Sequence, residues 1–137
     1  MYLDINNIFR AKVSELDIKY KGVTMPILYD DENELPEGAH IVFNYDTGAV
    51  TSEEIGGAGA ESLESFLQFI VKMPSSDNGL NYESASISDQ FHAQFPRGNY
   101  MVDGIKVEWL NVQRPIPVTI DGYRALTVRV NYRIFAC

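Results

Sequence analysis

The sequence predicts an α+β fold: a mainly antiparallel sheet with two helices packed on one face, and a long mobile loop in the first half. Three observations predict it. Apolar residues recur at three- and four-residue spacing near the N-terminus and again over residues 80–95, the period of a helix with one buried stripe. Residues 123–135 alternate strictly, with Leu126, Val128, Val130, Tyr132 and Ile134 opposing Tyr123, Ala125, Thr127, Arg129, Asn131 and Arg133, as in a strand with one buried face. Aspartate–glycine pairs at 103–104 and 121–122 sit between strand-like runs, where antiparallel neighbours turn back.

The elements follow in order. Asp4 to Leu16 reads as a helix, with Asp4 as N-cap and Ile5, Ile8, Phe9, Val13 and Leu16 as its core stripe. A membrane-surface helix would want a basic polar face, and this one carries only Arg10 and Lys12 against Asp4 and Glu15. Ile18 to Tyr29 alternates loosely around Gly22 and Pro26; Pro26 has no amide donor and suits an edge strand or a strand end. Asp30 to Gly38 is an acidic loop, and His40 to Tyr45 a short strand of β-branched and aromatic residues. Asp46 to Glu64 holds Gly48, Gly56, Gly57 and Gly59 among glutamates, with no surviving period. It reads as a long mobile loop or the tip of a β-hairpin, and loops of that length are often functional. Glu64 to Met73 is a strand ended by Pro74. Asn81 to Phe95 is the second helix, with Leu80, Ser84, Ile87, Phe91 and Phe95 on one face, closed by Pro96, Arg97 and Gly98. Asn99 to Val102 and Ile105 to Leu110 form a hairpin around Asp103-Gly104. Pro115 and Pro117 mark an irregular or edge segment before the last turn and strand.

With 137 residues the chain suits one domain, 1–137, large enough for a real core. No apolar run approaches the roughly 18 residues of a membrane helix, and Met1 to Arg10 lacks a signal-peptide core. The single cysteine, Cys137, forms neither an intrachain disulfide nor a thiolate cluster. A soluble protein of a reducing cytoplasm is expected. The net charge of −8 is uneven: residues 1–64 carry 13 acidic and 4 basic side chains, residues 65–137 carry 6 and 7. That balance argues against tight binding to a phosphate backbone. Solubility explains it plainly; an acidic surface that meets DNA without adhering is the sharper reading.

Nothing in the sequence specifies an enzyme, a cofactor or a metal. The two histidines, His40 and His92, lack metal-ligand spacing and read as surface or satisfied structural groups. No G-x-S-x-G nucleophile elbow is present. The run from Gly56 to Ser62 lacks the lysine of a phosphate loop and is bracketed by glutamates. Asp30, Asp31, Glu32 and Glu34 do not follow the calcium-loop pattern and read as a solvated turn. Trp109 falls in an alternating strand, as a packing residue.

From residue 63 to 134 one order of features stands out. The strand Ser65–Val71 and a loop with Gly79 precede the helix Ser84–Phe95. Phe95-Pro96-Arg97-Gly98, the hairpin Met101–Val107, and Asp121-Gly122-Tyr123 leading into the final strand come after it. This order resembles the tail terminators and tail-completion proteins of long-tailed (siphovirus-type) bacteriophages, in which a helix ending in F-P-x-G and a D-G-aromatic turn recur. The first half shares their outline: a helix, a strand, then a strand pair around a long loop. The resemblance implies a sheet with two helices on one face and a non-enzymatic virion protein. It implies a ring homo-oligomer, usually a hexamer, at the head-proximal end of the tail, assembled in the host cytoplasm. Such a ring stops tube growth and presents a joining surface to the head-completion or neck protein. Its partners are then further copies of itself, the tail tube protein and the neck protein. DNA passes through the channel without specific binding, and no membrane is involved.

On this view Glu53, Glu54, Gly56, Gly57, Gly59 and Glu61 belong to an assembly loop that contacts the tube or the adjacent subunit, ordered on assembly. Its carboxylates are also candidates to face the channel. An edge strand or hairpin offers unpaired backbone groups to a neighbour, and ring closure uses them up. The alternatives are another neck, connector or tail-tube protein of the same fold group, or a small ligand- or protein-binding module.

Overall fold

The computed structural model describes residues 9–29, 38–44, 51–54, 61–102, 105–113, 117–120 and 122–136. Helical residues 9–14 form α1. The short strands β1 (Lys19–Tyr20), β2 (Val23–Thr24) and β3 (Ile27–Tyr29) follow, then β4 (His40–Asn44), β5 (Thr51–Glu54) and the long β6 (Glu61–Pro74). Helix α2 (Leu80–Gln94) leads to β7 (Gly98–Val102), β8 (Ile105–Gln113), β9 (Pro117–Ile120) and β10 (Tyr123–Ala136).

Strands β3 to β10 make one sheet in the order β3-β4-β6-β10-β8-β7, with β5 added to β6 and β9 to β10. The central pair, β6 and β10, runs antiparallel over 14 residues each, about 46 Å at strand rise. Each central strand has two short strands in succession along its outer edge. β4 pairs residues 68–72 of β6 and β5 pairs residues 61–64; β9 pairs residues 123–126 of β10 and β8 pairs residues 129–136. The one parallel pair joins β3 to β4, Ile27 opposite Ile41 and Tyr29 opposite Phe43. Pro26 lies just before it, at the strand end where a residue without an amide donor is tolerated, and its carbonyl accepts the Ile41 amide at 2.9 Å.

Alternation decides which face is buried. Leu67, Phe69, Val71 and Met73 of β6 share one face with Leu126, Val128, Val130, Tyr132 and Ile134 of β10, and all are buried. Ile41, Phe43, Val107, Trp109 and Val112 extend that face outward. Trp109 and Val112 are three residues apart yet both face the core. A register shift opposite Asn131/Tyr132 inserts Leu110 as an extra residue, as a β-bulge does.

Both helices lie on this face. From α1, Phe9 meets Tyr132 at 4.6 Å and Trp109 at 5.9 Å between ring centroids. From α2, Phe91 meets Phe69 at 5.0 Å, and Phe95, at the helix end, meets Trp109 at 5.0 Å. Each fully buried ring or aliphatic group contributes roughly 1.5–3 kcal/mol relative to exposure, and the linked aromatic cluster joins both helices to the sheet. The fold is the α+β arrangement that the sequence predicts.

Three local expectations change. The described part of the first helix ends at Ser14, not Leu16. Glu15 and Leu16 donate three residues back, to Lys12 and Val13, the tightening of a last turn, and Leu16 is buried beyond it. Asp4, Ile5 and Ile8 lie outside the described residues. Within the predicted loop Asp46–Glu64, the described residues 51–54 and 61–64 are strand. Thr51–Glu54 pairs antiparallel with Glu61–Glu64, which is the hairpin reading. Thr-Ser-Glu-Glu carries no apolar alternation; its pairing to β6 is what defines it as a strand. The segment 18–29 divides into the hairpin β1–β2 and the edge strand β3. At its turn Lys21 (φ 52°) and Gly22 (φ 81°) both adopt left-handed backbone, the pattern of a type I′ turn.

Candidate functional site

Of the candidate assembly residues, three lie in described strands. Glu53 and Glu54 are in β5 and Glu61 opens β6. The register sets Glu54 opposite Glu61, and Glu53 opposite Ser62. Gly56, Gly57 and Gly59 lie outside the described residues.

At one outer edge of the sheet stands β7, which among the described residues pairs only β8. Its five residues, Gly-Asn-Tyr-Met-Val, carry no charge, the device that usually blunts an edge, and Met101 is 63% exposed. Beside this edge, on the helix-covered side, lies a cleft of about 430 Å³ lined by Lys12, Glu15, Pro96, Arg97, Gly98, Asn99 and Trp109. The α2 terminus forms one wall: Phe95 closes the helix by donating its amide to the Phe91 carbonyl at 3.0 Å, and Pro96-Arg97 carries the chain out to Gly98. Gly98 has φ 152°, a backbone that favours glycine. The Lys12 ammonium lies 5.4 Å from the centre of the Phe95 ring. Among the described residues neither Lys12 nor Arg97 has a carboxylate partner within 4 Å.

A second constellation fastens the segment 17–21 to α2. Gln94 accepts the Asp17 amide at 2.9 Å and donates to the Asp17 carbonyl at 2.7 Å. Gln90 does the same for Lys19, at 2.6 and 2.9 Å, and Glu83 accepts the Lys21 amide at 3.1 Å. Two extended residues advance about 6.7 Å and four helical residues about 6 Å, so side chains at i and i+4 serve alternate residues of an antiparallel segment. The Tyr20 hydroxyl donates to Asp77 at 2.6 Å. Burial, then that hydrogen bond, then the charges of Asp77 and Glu83 push the Tyr20 phenol well above its ordinary 10.0. Sequence reasoning missed these contacts; the paired glutamines four residues apart were the available signal.

The histidines separate. His92 is exposed on α2. His40, read from the sequence as a surface or satisfied group, is 1% exposed; its ring packs edge-on against Tyr123 at 5.6 Å, and its Nδ1 lies 2.9 Å from the Gly38 carbonyl. Its Nε2 has no partner among the described residues, which corrects that reading: burial by the strand register, not solvation, sets its surroundings. Among the described residues no group of three or more His, Cys, Asp or Glu is placed to hold a metal ion, and no helix is long and apolar enough to cross a membrane. The acidic run 30–34 and Cys137 lie outside the described residues. Trp109 is a packing residue, as expected.

On the face away from the helices, Arg129 lies over the Phe66 ring at 4.7 Å and its Nε donates to Gln68 at 3.3 Å, while Asn131 donates to Asn111 at 3.0 Å. These cross-strand pairs fix register on a half-exposed surface.

No family model matches the sequence, and no curated protein matches it. Solved structures do. One, whose designation states no function, superposes with a TM-score of 0.66 over 94% of each chain at 16% identity. The chain therefore shares its fold, a mainly antiparallel sheet carrying two helices, with a protein of essentially the same extent.

Proposed function

We propose that the chain is a tail terminator of a long-tailed bacteriophage. It is a virion structural protein, not an enzyme, that caps the tail tube as a ring, stops polymerisation and offers the head-completion protein a joining surface. The observation that supports the reading is the element order β6, α2, β7, β8, β9, β10, which agrees with the order of sequence features behind the resemblance; Gly98 and Gly122 have positive φ, 152° and 79°. The Gly122 carbonyl also accepts the Ser75 amide at 2.9 Å and its hydroxyl at 2.8 Å, tying the last turn to the end of β6.

The sheet geometry supports assembly. Its two edges differ, so a contact between them joins unlike surfaces, and repetition of such a contact closes a ring when the rotation permits. Growth stops because one ring face copies the interface of the tube and the other does not.

Two experiments test this. Light scattering over a concentration range, with negative-stain images of the same samples, should show closed rings with a central hole. Deleting the gene should give over-long tails unattached to heads. Absence of any tail would instead identify a tube protein, and tails of normal length that fail to join would identify a neck protein.

A further inference from the structure

The two outer strands of the sheet differ in how open they are to a further strand. β3 is three residues long and follows Pro26; Ile27, Leu28 and Tyr29 are all half-buried, and Arg10 lies over the Tyr29 ring at 4.5 Å. A short, covered strand of this kind is a blunted edge. β7 runs for five residues without a charge or a proline, about 17 Å at strand rise, and Gly98, Asn99 and Met101 are exposed. Its first residues also line the Lys12–Arg97 cleft, so edge and cleft are continuous. Gly98 stands opposite Trp109 in the ladder, on the helix-covered face, and a Cβ placed there would meet nothing within 4 Å. The space over Gly98 is therefore free for a side chain of a strand added outside it.

The charge of this space has a sign. Lys12 and Arg97 face one carboxylate in the cleft, the exposed Glu15, and among the described residues neither cation has an acidic partner within 4 Å. The partial negative charge of the α2 C-terminus draws cations to this place without neutralising them. A surplus of positive charge thus stands beside an open edge, in a chain whose net charge is −8.

We propose that β7 is the docking edge for an extended, acidic segment of a partner protein. The segment adds to the sheet as a further strand, its backbone pairing with β7. Its alternate side chains, those on the helix-covered side, set carboxylates against Lys12 and Arg97. Main-chain hydrogen bonds supply the attachment and the cleft supplies the preference for acid. This goes beyond the terminator reading and does not depend on it.

The probe is a synthetic peptide, fluorescein-Thr-Glu-Thr-Glu-Thr-Glu-Thr-amide, with every glutamate on one side of an extended chain. It is titrated with the full-length protein by fluorescence anisotropy, and Trp109 emission reads the cleft independently. Saturable binding is expected, weakening as salt shortens the screening length. The same peptide with lysine for glutamate should bind at least about tenfold more weakly. So should one with proline for the inner threonines, which keeps the charge and removes backbone donors. Arg97→Glu should weaken binding at least about tenfold, and Lys12→Glu/Arg97→Glu further. Lys19→Glu, an equal change of charge outside the cleft, should bind like wild type.

No saturable binding of the acidic peptide, or equal binding of the lysine peptide, would overturn the proposal. Equal binding of the proline peptide would overturn strand addition, and an equal loss in Lys19→Glu would overturn the assignment to the cleft. Wild-type oligomers that the acidic peptide dissociates would assign the edge to a second copy of the chain and overturn the foreign partner. Arg97 is exposed at a bend, so Arg97→Glu alone keeps the test decisive if the double variant melts early. The gene deletion tests the terminator reading separately.

Discussion

Removing the glutamine clasp is the sharpest test of how the N-terminal segment is held. Gln90 and Gln94 together make four hydrogen bonds to the backbone of Lys19 and Asp17, at 2.6 to 2.9 Å. An intramolecular hydrogen bond contributes about 0.5–1.5 kcal/mol net, and solvent beside these residues places them at the lower end, near 2 kcal/mol in all. Alanine has the better helix propensity by a few tenths of a kcal/mol per site. Gln90→Ala/Gln94→Ala should therefore lose about 1.5 kcal/mol, seen as a lower denaturant midpoint at unchanged slope. The Asp17 and Lys19 amides should exchange roughly tenfold faster, while amides of the central β6–β10 ladder follow only the global change. A double variant within about 0.5 kcal/mol of wild type, with those two amides still protected, would refute the reasoning. Hydrophobic anchoring by Phe9, Val13 and Ile18 would then be holding the segment without the clasp.

Three further outcomes follow from the same geometry. Phe69→Ala, at a fully buried ring touching Phe43, Phe91 and Phe95, should cost about 3–5 kcal/mol, read by chemical denaturation. Lys21→Asn keeps the amide bonded to Glu83 and places at φ 52° a residue that tolerates left-handed backbone; it should stabilise by roughly 0.5–1 kcal/mol, read as a higher melting temperature. The folded chain holds the Tyr20 proton beyond its ordinary 10.0, whereas the unfolded chain releases it there. The contribution is thus whole below that pH and is lost as pH rises through the folded-state value. Denaturant midpoints of wild type should fall more steeply above about pH 10 than those of Tyr20→Phe, and parallel curves would exclude Tyr20 as the cause.

What the sequence made legible is what local chemistry dictates. The final strand reads directly because its buried face alternates without interruption from Leu126 to Ile134. The turn at Asp121-Gly122 reads because Gly122 occupies a left-handed backbone at φ 79°. Helix α2 reads from Ile87, Phe91 and Phe95. What stayed hidden depends on partners distant in sequence. β5 is a strand only because β6 continues past β4 and offers it an edge. The parallel pairing of β3 has no local signature, since Ile27-Leu28-Tyr29 would suit either direction. Glu83 is 9% exposed on a helix, where its charge suggests solvent, because the Lys21 amide lies across from it. The cleft joins Lys12 to Arg97, 85 positions later, and neither residue is distinctive without the other.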